Sequence, residues 1–534
     1  MEVIHQIALS NSSFVPPIVR DYLNKAEPLS NFVHHWHEYA GFQDAIKKRL
    51  FSKEKRADLV EHLQSQYQSA QIDLRSAERV ESNINSLLDM QTFTITTGHQ
   101  LSLFGGTLFM TYKILSAIKL AMVLEKQFPK QKFVPVLWLA SEDHDFEEIK
   151  SSHLFGKDLS WDADAMSMAT GKISLQSISK LLEELSVLLG NNDQAKHWFK
   201  QINEAYGREG NLGEATVRFY HELFKAFGLI ILDPNAKRLK NYFSDVIQAD
   251  IMKQETFSVQ QLSDQLLSEQ YKLQINARPI NFFYLSENFG RKMIRKNEDG
   301  SYSLAEAGLN WSHQEMTNEI AEFPERFSPN VNLRPLYQEL ILPNLAYVGG
   351  PAEVAYWLQL KPIFDHYGVA YPLVALRYMN VLMPKSIYEK VLKLGLHAED
   401  MLLTEQLLTQ KYVAQVQGIS FPEKFDSILN EMQELVDHAK VLDVTLGKEF
   451  LEFKLQVKEF FKGKSSSIKK AGQLHQEVQI EKLLKLRARL FPKGIFQERI
   501  ETLMQQEVLS NKSLLPTLLT QIQPLAASLD ISLH

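Results

Sequence analysis

Three carboxylates and an imidazole occupy four consecutive positions, Glu142-Asp143-His144-Asp145. Such a group could hold a Mg-nucleotide or another divalent cation, capture a substrate ammonium, or act as a general base. Acids also gather at helix starts, where the helix dipole favours them. Placement favours function here. The group follows Phe133-Val134-Pro135-Val136-Leu137-Trp138-Leu139, an apolar run of the kind buried on both faces of a parallel sheet. Open α/β sheets bind ligands beyond the carboxyl ends of such strands. Oxygen donors with one His suit Mg²⁺ or an amine as well as zinc, so no dedicated metal site is expected.

Two further segments have the same setting. Thr97-Gly98-His99-Gln100 ends the β-branched stretch from Phe93 and is followed by Gly105-Gly106. Glycines permit close backbone approach, and the N–H groups opening the next helix could face a phosphate or carboxylate. A tight turn with a satisfied imidazole would look the same. The segment is neither a Walker A loop nor G-x-G-x-x-G. The third segment is Gly349-Gly350-Pro351-Ala352-Glu353, with Tyr356 and Trp357 beyond it. Glu353 and Trp357 lie four apart, on one helix face. Upstream, Arg334 could hold a carboxylate bidentately, or lie on the surface.

The elements that must position these groups are legible. Strand, glycine turn, the helix Leu108 to Leu124 and the strand Phe133 to Leu139 make a βαβ unit. Residues 217–233 read as helix then strand, and 281–294 as a hairpin around Asn288-Phe289-Gly290. Leu345 to Gly350, a helix from Ala352 to Tyr367 and a strand from Tyr371 to Leu376 make a second α/β stretch. Residues up to about Met90 read mostly as helix, and from about Lys385 the chain reads as helix to its end. There Phe425, Ile428, Met432, Leu435, Ala439, Leu442, Leu446, Phe450, Phe453, Val457 and Phe460 recur by threes and fours, a coiled-coil seam with a stutter. Gly463 and Ser465-Ser466-Ser467 predict a break before a second, basic helix, Ile468 to Leu490. The pair would be antiparallel, packed on its own domain or forming a dimer interface.

The expected fold class is α/β, a Rossmann-like parallel-sheet core with insertions and a C-terminal α-helical coiled coil. Four regions follow: 1–155, helices and the first half of the core; 156–325, an insertion; 326–385, the second half; 386–534, the coiled coil. The 534 residues suggest roughly three to four domains. The formal charge of -6 argues against nucleic acid as a partner. No apolar run nears the ~20 residues of a membrane span. The N-terminus, Met1-Glu2-Val3-Ile4-His5, lacks a basic signal region, so a cytoplasmic protein is expected. With 0 cysteines, thiol nucleophiles, disulfides and thiolate metal sites are excluded.

Together the motifs resemble the bacillithiol biosynthesis cysteine-adding enzyme family. The resemblance rests on TTGHQLSLFGGTLFMTYKILSAIKLA (Thr96 to Ala121), VPVLWLASEDHDFEEI (Val134 to Ile149), LPNLAYVGGPAEVAYWLQLKPIF (Leu342 to Phe364) and FPKGIFQER (Phe491 to Arg499), and it covers essentially the whole chain. It implies amide-bond formation between L-cysteine and glucosaminyl-malate, with ATP activating the cysteine carboxylate and Mg²⁺ accompanying it. It also implies a core related to class I aminoacyl-tRNA synthetases, connective-peptide insertions and a homodimer through the coiled coil. His99 would then contact phosphate or the activated carboxyl. Asp143, His144 or Asp145 would bind the ammonium or a Mg-nucleotide. Thr97, Gly98, Gln100, Gly105, Gly106, Glu142, Arg334, Gly349, Gly350, Glu353, Tyr356 and Trp357 would line substrate or adenine-nucleotide pockets. The second histidine of the usual synthetase motif is absent. Two other readings fit the residues: a ligase of the same fold for another amino acid, and a non-catalytic, ligand-sensing coiled-coil protein.

Overall fold

The computed structural model describes residues 1–164, 168–304, 307–416 and 421–534. They divide into two units. The larger comprises Met1, Gln6–Asn380 and Glu498–Asp530, and the smaller comprises Glu2–His5, Val381–Gln497 and Ile531–His534.

The larger unit is built on five strands: β1 (Thr92–His99), β2 (Lys132–Leu139), β3 (Ile230–Leu232), β4 (Asn344–Gly349) and β5 (Leu373–Leu376). Their order is β5-β4-β1-β2-β3, every neighbouring pair parallel. This is the doubly wound Rossmann order, and it reverses between β1 and β4. The strands are buried almost throughout, which explains why β2 lacks an apolar-polar alternation. Helix α1 (Leu108–Gln127) crosses from β1 to β2, α2 (Leu212–Phe224) precedes β3, and α3 (Pro351–His366) joins β4 to β5. Buried polar side chains pin the β1–β4 register. Thr94 Oγ1 and Thr96 Oγ1 donate to Asn344 Oδ1 at 3.1 and 2.8 Å, beside the irregularity between Asn344 and Ala346.

The stretch between β3 and β4 carries a second, antiparallel sheet. Its order is Asn310–Trp311, Tyr302–Leu304, Gly290–Lys296, Phe282–Ser286, Phe327–Pro329. The expected hairpin is its centre, with Ser286 facing Gly290. Among the described residues no helix is long and apolar enough to cross a membrane.

In the smaller unit α4 (Phe421–Leu442) and α5 (Val444–Ala488) pair antiparallel. Phe425 stacks on Phe461 with centroids 4.1 Å apart, and Lys454 reaches back to Gln433. The expected break at Gly463 and residues 465–467 is not there: α5 runs through it. One Gly and three Ser cost about 0.5–1 kcal/mol each in a helix, too little to interrupt 45 residues held by pairing. The reversal lies at Asp443, whose side chain accepts from Thr445 N–H (2.7 Å) and Leu446 N–H (3.0 Å), an N-cap. Gly447 lets the helices close there, since a Cβ would lie 2.9 Å from Lys440 Cα. The seam Phe425 to Phe460 is thus shared by two helices.

Both ends of the chain also depart from the helical expectation. Glu2–Ala8 and Ser528–Leu533 are strands. Gln6 Nε2 donates to Asp530 Oδ1 at 3.1 Å. These ends pair across more than five hundred residues, which no local window detects.

Candidate active site

The carboxyl ends of β1, β2 and β4 open into a pocket of about 500 Å³ at the point where the strand order reverses. Gly98, His99, Gln100, Glu142, Asp143, Arg334, Glu353 and Tyr356 line it. The three motifs therefore converge.

On its floor Glu353 accepts four hydrogen bonds or ion pairs. Lys113 Nζ lies 2.9 Å from Oε1 and 2.8 Å from Oε2, Tyr347 O–H donates at 2.6 Å, and Gly350 N–H donates at 2.8 Å. Burial alone would raise the Glu353 pKa, but Lys113, the Gly350 N–H and Tyr347 hold it down at about 2. Lys113 also donates to the Gly98 carbonyl and ties the end of β1 to α3. Burial pulls the Lys113 pKa down while Glu353 opposes the shift.

At the β2 end, Glu142 is buried and lies 2.7 Å from Lys240 Nζ. Asp143 Oδ2 accepts from Gln100 Nε2 at 2.7 Å, and Oδ1 accepts from His144 N–H at 2.8 Å. Arg291 Nη1 approaches Asp143 Oδ1 at 3.6 Å. That guanidinium stacks over the Phe283 ring at 4.0 Å and donates to Ser328 Oγ, to the Pro329 carbonyl and, at 3.2 Å, to His144 Nδ1. Each lining carboxylate thus faces its own cation: Glu142 faces Lys240, Asp143 faces Arg291, and Glu353 faces Lys113. Arg334 is the remaining cation. Its Nη1 donates to the neutral Gln338 Oε1 at 3.1 Å, and its guanidinium lies 5.4 Å from the Tyr347 ring.

His99 packs against Phe109, and its Nδ1 lies 3.0 Å from the Gln100 carbonyl. A carbonyl only accepts, so the proton sits on Nδ1 and Nε2 is an acceptor. Burial, then the Lys113 charge, push the His99 pKa down to about 4. The imidazole is neutral at pH 7 and cannot donate from Nε2 to a phosphate. The folded pKa lies below the unfolded value of about 6.5. The unfolded chain therefore takes up this proton first, and acid destabilises the fold from about pH 6.5 down to about pH 4. His99→Gln removes that contribution. Its loss of stability between pH 7 and pH 5, read by urea unfolding, is expected to be about 1–2 kcal/mol smaller than the native chain's. Equal losses would contradict a neutral His99.

Other expected residues lie elsewhere. Trp357 is fully buried in the core, stacked on Tyr347 at 4.6 Å and packed against Phe364 and Tyr371. Four-residue spacing put it beside Glu353, but the sheet takes that part of the face. Gly105 and Gly106 have φ of +89° and +67° and are not among the described residues that line the pocket. Gly105 lies against Phe219, and its carbonyl accepts from Tyr220 O–H. Thr97 Oγ1 donates to the Val348 carbonyl at 2.8 Å within the sheet. Gly349 and Gly350 end β4, and the Gly350 N–H is taken by Glu353. Asp145 caps the short helix Phe146–Ile149 through Glu148 N–H. His144 sits at the rim, bonded to Arg291.

Lys113, Lys240, Arg291 and Tyr347 were missed. Lys113 did leave a signal, as a lone charge in the apolar stretch Leu108 to Ile118. Arg291 left none, because a charged residue in a hairpin strand is ordinarily solvated.

Residues 1–378 match the family described as bacillithiol biosynthesis BshC, N-terminal Rossmann-like domain. Residues 380–531 match its C-terminal coiled-coil domain. A protein from Christiangramia forsetii, named for cysteine-ligase activity as BshC, is 33% identical over 98% of both chains. One of the same name from Flavobacterium psychrophilum is 33% identical over 99% of both. One from Bacillus cytotoxicus is 27% identical over 90% of this chain and 91% of its own.

Proposed function

The chain belongs to the bacillithiol biosynthesis BshC family, and on that premise we propose that it is a cysteine ligase joining L-cysteine to glucosaminyl-malate through an amide bond. The observation that carries the reading is the convergence of Asp143, His99 and Arg334 on one pocket at the switch point of the sheet. An amino acid and an amino sugar bearing carboxylates need an anionic hold for an ammonium, an acceptor for the attacking amine's proton, and a cationic hold for an anion. Asp143 supplies the first, with Gln100 and Arg291 fixing its rotamer. His99 Nε2 supplies the second. Arg334 supplies the third.

ATP is the proposed co-reactant. When bound, it makes one oxygen of the cysteine carboxylate a leaving group. The pocket fits an anionic group at Arg334, the lining arginine or lysine with no carboxylate in an ion pair with it among the described residues. Mg²⁺ would arrive on the nucleotide's phosphates, since no three carboxylate or imidazole groups converge as a metal site among the described residues. Arg334→Met is expected to raise KM at least about tenfold for whichever substrate supplies that group, glucosaminyl-malate or the nucleotide. Unchanged KM for both would exclude the role.

We also infer a cytoplasmic homodimer formed through α4 and α5. Leu435 (56%), Phe453 (57%) and Phe460 (61%) leave large apolar surface exposed on this pair. Sedimentation at micromolar concentration tests the dimer, and a monomer would refute it. The ligase is tested with purified protein, cysteine, glucosaminyl-malate and ATP, read by mass spectrometry beside an active family member. Absence of the thiol product refutes the reading. Product from serine and not from cysteine would replace the amino acid and keep the chemistry.

A further inference from the structure

Glu498, in the segment Phe491 to Arg499, lies outside the pocket lining and is 1% exposed. It opens the last stretch of the larger unit, Glu498–Asp530. Its carboxylate takes both ends of the Arg377 guanidinium: Nη1 donates to Oε2 at 2.8 Å and Nη2 donates to Oε1. Arg377 is 3% exposed and follows β5 directly. Its backbone N–H donates to the Gly349 carbonyl at 2.8 Å, and Nη1 also donates to the Tyr378 carbonyl at 2.8 Å. A buried ion pair adds little stability over apolar residues of the same volume. What a two-point fork adds is a fixed direction for the guanidinium plane.

That guanidinium meets the framework of the pocket at two places. A Cβ on Gly350 would lie 3.6 Å from Arg377 Nε and 3.5 Å from Glu353 Oε2, so the guanidinium adjoins the turn that Glu353 holds. It also lies 5.6 Å from the centre of the Phe109 ring. The same ring lines the pocket and packs on His99, with centroids 5.1 Å apart. Phe109 is the second residue of α1, and the Leu108 N–H that opens this helix donates to the Glu501 carbonyl at 2.7 Å. Glu498 and Glu501 therefore fix Arg377 and the start of α1 together. The Arg377 charge lies near enough to Lys113 to disfavour its charged form, and Glu498 offsets that charge.

We propose that Glu498 and Arg377 are positioning residues for the candidate site: their fork keeps Phe109 on His99 and the Gly349-Gly350 turn on Glu353. The test is the double variant Arg377→Met with Glu498→Leu in the full chain, which leaves no unpaired charge. It is expected to unfold in urea near the native midpoint, and both readouts are taken where it is fully folded. The first readout, kcat, rests on the ligase reading; it is expected to fall at least about tenfold with KM within about twofold, because a displaced reacting group costs rate more than binding. The second readout needs no activity. Nitrogen NMR at pH 7, assigned through His99→Gln, is expected to show His99 as the Nδ1–H tautomer in the native chain and as averaged tautomers in the double variant. A kcat within about threefold of native, or an unchanged Nδ1–H tautomer, overturns the proposal. If the native chain makes no product, the ligase reading fails and the tautomer alone decides the positioning. If the double variant does not fold, Glu498→Asp decides: it keeps the charge and withdraws the fork by one methylene, and an unchanged kcat or an unchanged tautomer overturns the proposal.

Discussion

Lys113→Met is expected to destabilise the larger unit by about 3–5 kcal/mol, the cost of leaving a buried carboxylate without its cation. Lys113 is almost wholly buried and is the only cation within 4 Å of Glu353 among the described residues. Its loss also releases the carbonyl of Gly98 at the end of β1. The double change Lys113→Met with Glu353→Gln should recover most of the loss. Glutamine can accept from Gly350 N–H on its oxygen and donate from Nε2 to the Tyr347 hydroxyl oxygen, and no unpaired charge remains. All six tryptophans lie in the larger unit, so urea unfolding followed by their fluorescence reads that unit alone. A single variant within 1 kcal/mol of the native chain would remove the pair from the framework of the site. So would a double variant no better than the single.

Asp143→Asn should lower kcat/KM for the amino acid by about 100-fold while leaving the fold intact. Asparagine keeps the shape, and its Oδ1 can still accept from His144 N–H, while the Gln100 amide must turn its oxygen towards the new Nδ2. What it loses is the negative charge proposed to face the substrate ammonium. If the loss falls in KM, Asp143 serves binding; if it falls in kcat, it aligns the reacting carboxylate. A change below threefold in both would assign the ammonium to another group.

The site was unevenly legible before folding. Gly98-His99-Gln100 and Glu142-Asp143 were found because they end strands whose apolar character is visible locally. Glu353 was found for the same reason. Trp357 was drawn in with it because helical spacing says which residues share a face, and says nothing about what that face meets. The glycines Gly105 and Gly106 looked like a phosphate cradle, yet their positive φ serves a turn packed on Phe219. The coiled coil was legible as a seam. Its reversal point was not, because low helix propensity at residues 463–467 is a weak local signal beside the cap at Asp443.

By itself the sequence determined what short range can carry: strand, turn and helix order, the apolar runs that demand a doubly covered sheet, the heptad-like seam, and the absence of any thiol. Only the tertiary structure decided the charge pairing of the pocket. Lys113 meets Glu353 across 240 positions, and Arg291 of the inserted sheet meets Asp143. Those separations close through the sheet order and the inserted antiparallel sheet. A buried charge is tolerable only with a partner, and which residue becomes that partner is set by packing over distances that composition and periodicity do not encode.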